Sequence, residues 1–181
     1  MNGEPHEDLD AAAAIAWSRI WSPVVPRQAS MAAWQALDLP RDETLRDVIF
    51  CSTFHAGFPS PKVPLFLHEA LNQPGDHVRM DFLRAMSHLR VKAGAKMLPP
   101  DHLAVACEIV ACALSADEPV IVAEIRDRYL LPWCTAAEAR LAEDDKRLSE
   151  IVQGFRSYAA ALLGGAPERA KHAREHAPVS A

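Results

Sequence analysis

Between Leu103 and Leu114 the chain reads LAVACEIVACAL, a stretch in which Glu108 alone carries a charge. A helix that is apolar nearly all the way round has no face to offer water, so it must sit in the middle of a larger assembly of helices. Pro99-Pro100 stand just ahead of it, where a helix tolerates proline because its first amides lack intrahelical partners anyway. One such segment already demands several surrounding helices.

The rest of the chain can supply them. Its 181 residues, half of them apolar, are enough to close one sizeable core, which argues for one domain rather than two. Alanine-rich runs beside only 7% aromatics and 7 glycines favour helix over a sheet-rich sandwich. The expected fold is all-α, a single-domain helical bundle over residues 10–163, preceded by a flexible, acidic stretch 1–9 and followed by a polar tail 164–181.

Local signals divide this bundle. Asp8 or Asp10 can cap a helix from Ala11 to Trp21, closed by Ser22-Pro23, and Ser30 can cap a second from Met31 to Leu37. Asp42 heads a third, in which Leu45, Val48, Ile49 and Ser52 recur at helical spacing. From Phe54 to Pro64 the chain reads FHAGFPSPKVP, which cannot propagate a helix yet keeps buried-type side chains, so an ordered connector is expected. After a turn near Leu65 to Leu71, Pro74-Gly75-Asp76 restarts a helix with Val78, Phe82, Leu83, Met86 and Leu89 as its apolar stripe. A loop with Gly94 spans Lys92 to Lys96. Beyond the central helix, Glu118-Pro119 opens a helix to Tyr129, Leu131-Pro132 breaks it and starts another to Leu141, and a last one spans Leu148 to Leu163.

Several function classes find no support. The net charge of -5 comes without a basic block, so phosphate neutralisation has no source and nucleic acid is not an expected partner. The early apolar run Ala11 to Ala16 falls well short of the roughly 20 residues that span a bilayer, and no Arg-Arg pair occurs, so neither membrane anchor nor twin-arginine export signal is expected. Cys51, Cys107, Cys112 and Cys134 lack CxxC spacing, and two lie inside an apolar helical run, so reduced, buried thiols are expected. No GxSxG, HExxH, Walker A or GxGxxG is present, and no catalytic residue is expected. His172 and His176, four apart, could chelate a metal from one helix face, but nothing completes a ligand set and the solvated tail is the simpler reading; no metal or cofactor is expected. The run from Glu143 to Arg147 reads as a solvated junction of ion pairs.

Two readings of PPDHLAVACE stay open. Asp101 in a first helical turn can simply stabilise the helix dipole by about 0.3 to 1 kcal/mol, with His102 at the surface and Glu108 two turns on along the face of Asp101. Alternatively Asp101 and His102 line a groove for a basic, apolar peptide. Trp17 and Trp133 are further candidates for such a groove, although tryptophans at helical spacing usually belong to a core, as expected for Trp34.

Pro100-Asp101-His102 followed by Glu108 resembles the P-x-D-H-(x5)-E signature of the TorD/DmsD/NarJ-like redox-enzyme maturation chaperones. Arg128 to Trp133, RYLLPW, is similar to that family's H-L-x-P-W segment, with Arg128-Tyr129 in place of the usual histidine-containing pair. Trp17 to Pro23 is similar to its aromatic first helix, with tryptophans where a tyrosine is common. Pro61 to Leu67 resembles the VPL connector of the branch serving type II dimethyl sulfoxide reductase-like enzymes. The resemblance covers roughly residues 10 to 163 and implies a cytoplasmic, non-enzymatic, TorD-like all-helical chaperone. Its partner would be the precursor of a molybdopterin oxidoreductase catalytic subunit with its twin-arginine signal peptide, held until cofactor insertion. Members are reported to bind guanine nucleotides, for which this chain shows no phosphate loop. The family would carry over Pro100, Asp101 and His102 as leader-binding residues and Glu108 as their support. Monomer and domain-swapped dimer are both compatible. Competing expectations are a helical interaction or regulatory bundle without leader specificity and a small hydrolase using Asp101, His102 and Glu108.

Overall fold

The computed structural model describes residues 5–56, 60–91, 98–141 and 146–164. Among them lie eight α-helices and two π-helical segments, and no strand beyond an isolated bridge. In chain order these are α1 (Pro5–Trp21), α2 (Arg27–Ala36), π1 (Leu45–His55), α3 (Leu67–Ala70), α4 (Gly75–His88), α5 (Leu103–Ser115), α6 (Pro119–Ile125), π2 (Arg126–Leu130), α7 (Leu131–Leu141) and α8 (Lys146–Ala161). The all-α bundle is therefore observed. The loop from Lys92 to Lys96, Gly57 and Pro59 of the connector, Glu143 to Asp145, and His172 and His176 lie outside the described residues.

The apolar segment occupies the place its sequence demands. Leu103 to Ile109 is buried except at Glu108, and α5 packs most extensively along α1, which contributes Trp17, Ile20 and Trp21. Trp21, wholly buried, gathers the aromatic core: Phe50 and Phe54 of π1, Trp133 of α7 and Phe155 of α8 have ring centroids 5.1 to 5.6 Å from its own. Trp17 stacks on Trp21 at 5.7 Å and 12°.

The element boundaries differ from expectation for physical reasons. α1 starts at Pro5, ahead of Ala11, so Asp8 and Asp10 fall inside the helix rather than capping it. α2 starts at Arg27 because the Pro26 carbonyl accepts from the Ala29 and Ser30 amides at 2.9 and 3.1 Å; Ser30 is an interior residue, not the cap. Asp42 does act at the head of π1, its Oδ1 accepting from the Leu45 amide at 3.1 Å. Within π1, however, the buried side chains are Leu45, Phe50 and Phe54, while Val48 is 61% exposed. Buried positions five and four apart fit the wider i to i+5 turn, not the 3.6-residue period that paired Leu45 with Val48. In α4 the buried stripe is Val78, Phe82 and Met86, and Leu83 faces solvent at 42% exposure. The expectation of reduced, buried thiols is met by Cys107 and Cys134 and corrected for Cys51 and Cys112, which are free but half-buried.

The expected break at Leu131-Pro132 is absent. α6, π2 and α7 follow without interruption, and the Leu131 amide donates to the Arg126 carbonyl five residues back. A proline ring clashes with the carbonyl four residues earlier in an α-helix and offers it no proton; widening the preceding turn relieves both problems.

Candidate functional site

The connector meets the head of α5 in a short zipper. Val63, Leu65 and Leu67 are buried while the residues between them are not, so the segment alternates like a strand although the described residues form no sheet. Ahead of α5, Pro99-Pro100-Asp101-His102 forms a turn closed by the His102 amide on the Pro99 carbonyl at 2.9 Å, with Pro100 at the position where its fixed φ suits a turn. The Leu67 amide donates to the Asp101 carbonyl at 2.9 Å and the Leu103 amide to the Leu65 carbonyl at 2.8 Å, making an antiparallel bridge between Phe66 and His102.

Asp101 therefore precedes the helix instead of occupying its first turn. Its carboxylate is wholly buried, with Oδ2 accepting from His68 Nδ1 and Oδ1 from Arg79 Nε at 3.1 Å. The Arg79 side chain is 46% exposed, so a cation rooted in α4 reaches inward to neutralise the buried charge. Gly75, at the start of α4, leaves the room His68 needs: a β-carbon there would lie 3.1 Å from the imidazole Cδ2.

His102 is not a surface residue. At 4% exposure it is the N-cap of α5, and its Nδ1 accepts from the Ala104 amide at 3.2 Å, the role usually filled by an Asn, Asp or Ser oxygen. The Phe66 ring meets it edge-on at 5.4 Å. Burial, reinforced by the neighbouring His55 and opposed by Asp101, brings its pKa down to about 4. Burial likewise lowers the pKa of His55, whose Nε2 has no hydrogen-bond partner, while a hydrogen bond with the Trp21 backbone acts in the opposite direction.

The other expected site residues go elsewhere. Glu108 does not share a cluster with Asp101; it turns to α1 and accepts from Ser18 Oγ at 3.0 Å. Trp17 and Trp133, 3% and 0% exposed, are core residues, as is Trp34. Trp133 also donates from Nε1 to the Pro64 carbonyl at 2.9 Å, so α7 grips the connector from its far side. Asp101, His102, Trp17 and Trp133 are all buried, so none of them presents a surface that could be laid against a peptide.

The sequence reasoning missed His68, Arg79 and His55, each many residues from Asp101 and His102 and brought near only by the fold. Arg128 and Tyr129 have a structural task as well: Arg128 Nη2 and the Tyr129 hydroxyl both donate to Asp81 Oδ2, at 2.5 and 2.7 Å, fastening π2 to α4. The Tyr129 hydrogen bond and the Arg128 charge hold the Asp81 carboxyl below its usual range, against a smaller effect of burial than of that hydrogen bond.

Chemically, this is a clasp: mutually satisfied groups around the buried Asp101 and His102 that join the connector, α3, α4, α5 and α7. Among the described residues no group of three His, Cys, Asp or Glu side chains is placed to hold a metal ion, and no helix is long and apolar enough to cross a membrane. Compared with protein-family models, with curated proteins and with solved structures, the chain has no match.

Proposed function

We propose that the chain is a cytoplasmic chaperone that binds the precursor of a molybdenum-cofactor oxidoreductase catalytic subunit, including its twin-arginine leader, and delays export until the cofactor is in place. The observation that carries this reading is the meeting of three separate segments at one point. PPDH, the Pro61 to Leu67 connector and the tryptophan of RYLLPW are the stretches that resemble the TorD/DmsD/NarJ-like chaperones, and they lie far apart in sequence. In the fold the Leu67 amide donates to the Asp101 carbonyl, His102 bridges Phe66, and Trp133 donates to the Pro64 carbonyl.

Because Asp101 and His102 are buried, they act on the client by positioning the connector and the head of α5, not by direct contact. The all-helical bundle supplies the scaffold, and no bond is made or broken in holding a client.

Fluorescence anisotropy with a labelled twin-arginine leader peptide tests the reading. Binding of the leader, lost when the arginine pair is replaced by Lys-Lys or the sequence is scrambled, is the expected result; it is to be joined by recovery of one molybdenum-enzyme precursor on affinity capture from the source organism's lysate. Equal affinity for leader and scrambled peptides would refute leader recognition and favour a helical interaction bundle without that specificity.

A further inference from the structure

His102 is an unusual choice of N-cap because its acceptor is a titratable nitrogen. An Asn or Ser oxygen accepts a hydrogen bond at any physiological pH, whereas Nδ1 accepts only while the ring is neutral and its proton resides on Nε2. In this structure Nδ1 faces the Ala104 amide, and the same residue forms one half of the bridge that zips Phe66 to the head of α5. A proton added to Nδ1 removes the acceptor, leaves the Ala104 amide unsatisfied, and sets a cation at the positive end of the α5 dipole.

We propose that the His102 cap is an acid-operated release: proton uptake at Nδ1 uncaps α5 and frees the Pro64 to His68 connector from it. The surroundings disfavour the charged ring while the cap is closed. Facing the ring are the Asp101 carboxylate of its own turn, the His55 ring of π1 and the apolar Phe66 ring of the connector. The Asp101 charge, which would favour a charged ring, is already committed to His68 of α3 and Arg79 of α4. A charged His102 in this enclosure would lose its hydration beside a second buried imidazole, and the Asp101 charge offsets only part of that penalty.

The sign follows from linkage. The unfolded or opened ring takes up its proton near the ordinary value of 6.5 and the closed ring only near about 4, so the closed state loses stability as pH falls from 6.5 towards 4 and levels off below. Between pH 7.5 and pH 4.5 the opening equilibrium shifts by on the order of 100-fold from this group.

Hydrogen exchange followed by mass spectrometry, corrected for the intrinsic pH dependence, reads the event locally. Acidification of the wild-type chain to pH 4.5 is expected to strip protection from the peptides holding the Leu67, Leu103 and Ala104 amides before it affects Val110 in the middle of α5. His102→Asn, which keeps an acceptor at the Nδ1 position and does not titrate in this range, is expected to retain that protection; a His55→Gln background removes the second buried ring from the comparison. An acid response in His102→Asn equal to that of the wild type overturns the proposal. Should His102→Asn fail to fold, ring nitrogen chemical shifts of the wild type decide: Nδ1 protonation below pH 6 in step with loss of protection at the Leu67, Leu103 and Ala104 amides supports the release, and a ring protonated with that protection intact overturns it.

Discussion

Replacing Asp101 with alanine separates the buried clasp from the ordinary first-turn carboxylate that its sequence position suggests. A first-turn carboxylate is worth about 0.3 to 1 kcal/mol, whereas Asp101 accepts two charge-assisted hydrogen bonds in a fully enclosed position. Two such bonds together contribute about 3 to 6 kcal/mol before compensation. The alanine chain no longer dehydrates a carboxylate, and Arg79, 46% exposed, regains water. The net loss is therefore expected near 2 to 3 kcal/mol, or roughly 5 to 10 °C in melting temperature for a chain of this size. Urea denaturation followed by tryptophan fluorescence measures it, with Arg79→Ala and the double variant completing a cycle whose coupling should be about 1 to 2 kcal/mol. A loss below about 1 kcal/mol with no coupling would refute the clasp and return Asp101 to the helix dipole. The magnitude also governs how binding data are read: weakened client binding in Asp101→Ala must be compared at equal folded fraction, since the substitution loosens the scaffold.

Gly75→Ala sets a β-carbon 3.1 Å from a His68 ring that Asp101 prevents from swinging away, so it should destabilise despite alanine's better helix propensity, and His68→Ala should cancel the penalty in thermal melts. Trp133→Phe leaves the Pro64 carbonyl without its donor and the core short of one ring, a loss of about 2 kcal/mol that near-ultraviolet circular dichroism and urea titration should report. Burial pushes the Cys134 thiol up to about 12 and that of Cys107 well above its ordinary value, so iodoacetamide at pH 8 should label both only after unfolding, with half-buried Cys51 reacting in the native chain; peptide mass mapping checks the order.

The bundle was readable because one segment was extreme. Nothing but a buried helix accommodates LAVACEIVACAL, and Pro74-Gly75 and Glu118-Pro119 punctuate their helices as local chemistry requires. Boundaries set by prolines at Pro5 and Pro26 were misplaced because Asp8, Asp10 and Ser30 offered equally plausible caps. The π1 stripe was missed since Leu45, Phe50 and Phe54 match no 3.6-residue pattern, and the passage through Pro132 because a wide turn upstream leaves no mark in composition. At the candidate site the residues PPDH were singled out but their setting was not. A buried Asp101 requires His68 and Arg79, which stand 33 and 22 positions away, and no periodicity reaches that far. Glu108 was assigned to the face of Asp101 by counting turns from a helix that in fact starts at Leu103, two residues after it.

The aromatic cluster around Trp21 bears on how the chain is made. Its members come from α1, π1, α7 and α8, and Trp17 touches Phe155 at 5.1 Å while the Tyr158 hydroxyl donates to the Asp10 carbonyl at 3.2 Å. During synthesis α1 therefore emerges from the ribosome with Trp17 uncovered and waits for α8 to cover it. Contacts that span nearly the whole chain are slow to close, and until they do the exposed rings are available to neighbouring nascent chains. A protein built this way leaves α1 unshielded while translation is under way, until α8 is made.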